Sequence, residues 1–218
     1  MSGGWRRICE ILSLLNYKEE MKIFEQIPNT NVPIGGDFNR IFDHADYLAM
    51  LNIPDEATCI LRGHLILEEV LNLWTSKTTG TEDLFSGTFV PFKTKLVISK
   101  NLGLADDFYR VLDKVNDIRN KFSHRKGYAL EKSYIDSLAN LVDAIPSDEL
   151  MGNSKEFQLY VSGKDSLGNV CETVHKWNDC DVRRQFVIVF VLLMLKFTVW
   201  IQKEFVSKNI EFTIIKSS

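Results

Sequence analysis

"FVIVFVLLMLKFTVWI", Phe186 to Ile201, decides what kind of fold this chain can have. A membrane-spanning helix needs about 20 predominantly apolar residues, and a charge in the middle of one is costly. This run is sixteen residues long and carries Lys196. It is therefore predicted to be the central core helix of a water-soluble bundle, apolar nearly all round, with Lys196 snorkelling out of it. Asp181 is the expected N-cap of a last long helix over 181–207. No membrane partner is implied.

The other segments are the size and pattern that such a helix would organise. Phe108, Val111, Leu112, Val115, Ile118 and Phe122 recur at three and four residues in "ADDFYRVLDKVNDIRNKFSHRKG", which Gly127 closes, so they predict one buried helical stripe. Upstream, "NIPDEATCILRGHLILEEVLNLWTS" places Pro54, Asp55 and Glu56 where a first helical turn favours them, and Ile60, Leu61, Leu65, Leu67, Leu71 and Trp74 form a broad apolar face. "FKTKLVISKNLGL" is a short helix ended by Gly103, and Leu130 to Ile145 gives another that stops at Pro146. Phe38 to Leu51 is predicted as a single short helix. Trp5, Ile8, Leu12, Leu15 and Ile23 give Trp5 to Gln26 an amphipathic spacing that ends before Pro28. Glu10 interrupts that run, and no small-residue cleavage site follows it, so it reads as an amphipathic helix rather than a signal peptide.

Between Lys155 and Lys176 the pattern becomes strand-like. "EFQLYV" and "NVCETVH" flank the turn-forming "SGKDSLG" and predict a β-hairpin, to which the closing "IEFTII" would add a third strand. The fold class is thus mainly α: one domain over 1–218, a helical core over 53–145, a small antiparallel hairpin inserted over 152–178, and the central helix over 181–207.

With 45% hydrophobic residues the 218-residue chain can bury a full core, and a net charge of −3 excludes binding nucleic acid over its whole surface. Any such contact must be local. Cys9, Cys59, Cys171 and Cys180 are few for the length, which is cytoplasmic usage rather than a disulfide framework. There is no Gly-rich phosphate loop, serine-nucleophile elbow or zinc-protease helix, and no cofactor is implied. Cys171, His175 and Cys180, with Asp179 and Asp181, lack the spacing of a zinc site, and no metal is expected. His64 and Glu68 stand one helical turn apart and are expected to satisfy each other at a helix interface.

The candidate chemistry lies in "DIRNKFSH", Asp117 to His124. Histidine titrates near neutral pH and can move the proton of a ribose 2′-hydroxyl, while an arginine offers a permanent planar fork to a charged phosphorus centre. At about 100° per residue, Asn120 and His124 share a face and Asn120 can orient the imidazole; Arg119 lies about 140° from His124. From Arg110 to Lys126, six cations face two carboxylates, a local footprint for a phosphodiester to which Lys121, Arg125 and Lys126 would contribute. The same residues also suit a plain helix end, since cations oppose the negative pole of a helix and Gly127 is the expected C′ residue. In that case Arg119 would be paired with Glu68 or Glu69.

Three blocks, "LRGHLILEEVLNLW", "FKTKLVISKNLGL" and "VLDKVNDIRNKFSHR", with an apolar last helix reached through "RRQF", make Asp55 to Leu141 resemble the HEPN superfamily of helical domains, and within it the mannitol operon repressor-like proteins. In HEPN ribonucleases an Arg followed by a polar residue, with a His four to six residues on, is the active site, which matches Arg119, Asn120 and His124. The resemblance implies a homodimer with two motif helices facing each other and metal-free cleavage of RNA, as in toxins and antiviral effectors. The repressor-like branch implies a non-catalytic regulator or immunity protein whose partner is a protein such as a toxin, antitoxin or regulator. Unlike the familiar HEPN toxins, this chain has Lys126 rather than Tyr two residues after the histidine, with Tyr128 nearby.

Overall fold

Asp181 begins the longest helix by accepting the Arg184 N–H at 2.7 Å, and from Phe186 to Val199 every side chain of that helix is buried. The structure is a computed structural model that describes residues 35–124, 127–147, 151–164 and 170–214; the predicted Trp5 to Gln26 helix lies outside these. Six α-helices are described: α1 (His44–Asn52), α2 (Glu56–Thr79), α3 (Phe92–Asn101), α4 (Asp106–His124), α5 (Lys132–Asp143) and α6 (Val182–Ser207). A two-stranded antiparallel hairpin, β1 (Leu159–Lys164) and β2 (Val170–His175), precedes α6, in the register Leu159 opposite His175 and Lys164 opposite Val170. The mainly helical fold with a hairpin before the last helix is as the sequence indicates.

Among the described helices α6 alone is long and apolar enough to cross a membrane, and its most apolar 18-residue window is 94% buried inside the protein. It packs against α1, α2 and α5. Gly63 sets the approach of α2, since a Cβ there would sit 3.2 Å from Phe190 Cε2, 3.3 Å from Phe186 Cζ and 3.2 Å from Met50 Cε.

Lys196 does not snorkel. It is buried, and its Nζ donates to the carbonyls of Val142 and Ile145 at 2.9 and 3.0 Å. These lie at and just past the end of α5, where carbonyls lack intrahelical donors, so the cation is held at a buried place with a matching negative pole. Burial pushes its pKa down from the ordinary lysine value. Arg183 does the same for α1, donating from Nη1 to the carbonyls of Met50 and Leu51 at 2.7 and 3.0 Å.

Three boundaries differ from the expectation. Residues 38–51 are not one helix: a 3₁₀ turn at Gly36–Phe38 is followed by Asp43, whose Oδ1 accepts the Ala45 N–H at 2.8 Å and starts α1 afresh. Pro54 stands just outside α2, because Asp55 is its N-cap, accepting the Thr58 N–H at 2.7 Å. Residues 210–214 add no strand to the hairpin. Asn209 takes a left-handed φ of 53°, and the chain that follows runs beside residues 35–37, where Ile214 O accepts from Gly35 N–H and Thr213 O from Asp37 N–H.

Lys196→Met keeps the apolar stem but leaves the α5 carbonyls unsatisfied, and is expected to lower the unfolding free energy in urea by about 2–3 kcal/mol. Gly63→Leu, which must push α2 off Phe186 and Phe190, should cost about 3 kcal/mol in the same measurement.

Candidate active site

The apolar stripe of α4 is buried as its spacing indicates: Phe108, Val111, Leu112, Val115 and Ile118 are sealed, and Phe122 is half-buried with its ring edge-on to Tyr128. α4 is caught between α2 and α3 on one side and α5 on the other. Its two polar borders therefore meet different neighbours, and this sorts the candidate residues.

On the α2 side, Asn116 is buried and its Oδ1 lies 3.3 Å from His64 Nε2. The carboxamide oxygen is an acceptor, so Nε2 carries the proton in this contact. The imidazole also packs on Phe92, with ring centroids 4.2 Å apart. Burial, and secondarily the nearby Arg119 charge, hold the His64 pKa below its ordinary value, against the opposing pulls of Asn116 and Glu68. His64 is thus a neutral strut between α2 and α4, not the partner of Glu68. Glu68 instead binds Lys95 of α3 at 2.7 Å, and that ammonium also reaches Asn72 at 3.2 Å.

Arg119 follows Asn116 by one turn and is half-buried. It pairs with neither Glu68 nor Glu69: the first is taken by Lys95, and the second faces Arg40 at 3.6 Å. Its Nη1 donates to Asn120 Oδ1 at 3.1 Å, and its Nε is buried with no hydrogen-bond partner among the described residues. No carboxylate within ion-pair distance neutralises it among the described residues. Asn120 so positions the arginine. His124, the last residue of α4, is exposed one turn beyond.

Lys121 belongs to the opposite flank. Its ammonium meets the Tyr134 hydroxyl of α5, 3.9 Å from the ring centroid, with Lys114 at 5.1 Å from the same ring. Arg110 of the strip is balanced by Asp107 at 2.8 Å, while the strip's Asp113 is taken by Lys93 of α3 at 2.5 Å. Arg125 and Lys126 lie outside the described residues, as does the side chain of Cys171. Among the described residues no three His, Cys, Asp or Glu side chains gather as a metal would need.

The structure therefore brings Arg119 and Asn120 together, puts His124 at the open end of the same helix and sends Lys121 elsewhere. It also adds His64 and Asn116. Asn116 had a signal in the sequence, being a polar residue one turn before Asn120 and beside the buried Val115; His64 was masked by Glu68, a nearer partner along the chain. Neither known protein families, nor curated proteins, nor solved structures match this chain.

Because the His64 pKa is depressed in the folded state, the native fold favours the neutral ring. The stabilisation is complete above the ordinary histidine value of about 6.5 and is lost as pH falls through the lower folded value. Urea unfolding is expected to show lower stability at pH 5 than at pH 7.5. That difference should shrink in His64→Gln, leaving the share due to His175, whose pKa burial also lowers.

Proposed function

We propose that this chain is a cytoplasmic, dimeric, HEPN-like endoribonuclease that needs no metal, of the toxin or defence-effector kind, with Arg119 and His124 as its catalytic residues. The observation that carries the reading is the state of Arg119. Among the described residues a half-buried guanidinium, permanently charged, is held by a carboxamide rather than neutralised by a carboxylate, beside an exposed histidine at the helix end. An anionic phosphodiester is the ligand that such a fork fits.

In the proposed reaction His124 accepts the proton of a ribose 2′-hydroxyl as that oxygen bonds to phosphorus. Arg119 stabilises the charge on the phosphorane oxygens. The bond from phosphorus to the 5′-oxygen breaks, and the leaving oxygen takes a proton from the second His124 of the dimer, giving a 2′,3′-cyclic phosphate and a 5′-hydroxyl. Asn120 is the positioning residue of Arg119.

One observation favours a second reading, a non-catalytic regulator or immunity protein of the mannitol repressor-like kind that binds a protein partner: Lys121 is committed to Tyr134 on the far flank of α4, away from Arg119. The test is incubation of the purified chain with structured RNA in EDTA. The ribonuclease reading expects fragments ending in cyclic phosphate, reduced about 10²–10⁴-fold in His124→Ala and in Arg119→Ala at unchanged fold. Cleavage that persists in both variants removes the site. Intact RNA together with a stoichiometric protein partner establishes the second reading.

A further inference from the structure

Outside the α4 site, the outer face of α2 is a surface that the proposed reaction does not use. Leu61 and Leu65, one turn apart, are 43% and 53% exposed there. They lie in a trough of about 680 Å³ between α2 and the Arg40 to Asp46 segment. A second hollow of about 560 Å³, reaching Asp37, Gly80 and Glu211, shares Arg40, Glu69 and Asn72 with the first. The two form one furrow along α2 from Thr58 to Gly80, about 33 Å at 1.5 Å per helical residue.

We infer that this furrow is the docking surface for the chain's own N-terminal segment, residues 5–26, laid along α2 with Trp5, Ile8, Leu12 and Leu15 against Leu61 and Leu65. This goes beyond the ribonuclease reading and does not depend on it. Length is the first argument: 22 residues of helical periodicity make a rod of about 33 Å, the length of the furrow. Tethering is the second. Gly35 is fixed by its bond to Ile214 O, two residues from Asp37 at the furrow's end, and the eight residues 27–34 span at most about 27 Å. The segment is therefore held at the mouth of the furrow at high effective concentration.

Charge is the third argument. The first hollow is lined by Asp43, Asp46, Glu68 and Glu69 against Arg40 and Arg62, and with Glu68 paired to Lys95 this leaves an excess of one carboxylate, Asp43. Residues 5–15, which carry the apolar spacing meant for Leu61 and Leu65, hold Arg6 and Arg7 against Glu10, while 5–26 as a whole balance four cations with four carboxylates. Basic side chains flanking an apolar stripe match two leucines between carboxylates.

The experiment compares amide hydrogen exchange of the full chain with that of Leu61→Glu/Leu65→Glu, whose substituted sites are solvent-facing. Docking is expected to slow exchange across residues 8–24 by about ten-fold or more in the unmodified chain and to lose that protection in the variant. Should the α2 substitutions unfold the protein, Leu12→Glu/Leu15→Glu must abolish the same protection while exchange in α6 is unchanged. Equal exchange in the unmodified chain and the variant overturns the proposal. So does light scattering in which the α2 substitutions convert a dimer to a monomer, since a second copy would then be the occupant.

Discussion

The rest of the molecule depends on the burial of α6 together with two cations, Arg183 and Lys196, that α6 carries into the interior. Each spends its charge on the last carbonyls of another helix, α1 in one case and α5 in the other. A charge-assisted hydrogen bond of this kind contributes about 1.5–3 kcal/mol, and an unmet buried carbonyl costs about as much. The apolar surface of α6 is non-directional and would accept neighbours in many poses. The two cations fix where α1 and α5 end along it, and Gly63 fixes how near α2 comes.

That arrangement determines what α4 can present. With α2 and α5 both placed by α6, the buried stripe of α4 slots between them and its borders face opposite neighbours. His64 holds Asn116 from one side, and Tyr134 holds Lys121 from the other. Only the narrow outer face between these borders, and the C-terminal end, remain open. Asn120 and His124 stand there, with Arg119 at the edge, bent toward Asn120.

The periodic parts of this fold were legible because hydrophobic spacing is a local property. The α4 stripe, the apolar length of α6 and the hairpin around "SGKDSLG" need no knowledge of the partner surface. Pairings across helices were not legible. Glu68 was expected to meet His64, four residues away, when its partner is Lys95 on another helix, and the carboxylates that a plain helix end would offer Arg119 are taken by Lys95 and Arg40. A side chain's nearest candidate in sequence competes with every group that folding brings up, and burial decides among them: Lys95 is sealed and must be paired, whereas the border position of Arg119 leaves it partly hydrated. Lys196 failed as a snorkelling residue for the same reason. A helix surrounded on all sides has no route to water for its lysine, and the end of α5 became the substitute.

The competition for carboxylates also bears on the site itself. A helix end built only for stability needs cations near its last carbonyls, and Lys121 or His124 would suffice in the last turn of α4. It gains nothing from a half-buried guanidinium whose Nε has lost water without finding an acceptor among the described residues, which costs about 1–3 kcal/mol. Glu68 and Glu69 are on the neighbouring helix, yet both are directed to other cations, and the group left facing Arg119 is a neutral imidazole kept neutral by burial. The surroundings thus withhold negative charge from Arg119 while holding its Nη1 in place through Asn120. A cation held in position and left without a carboxylate among the described residues is the feature on which the proposed reading of the site rests.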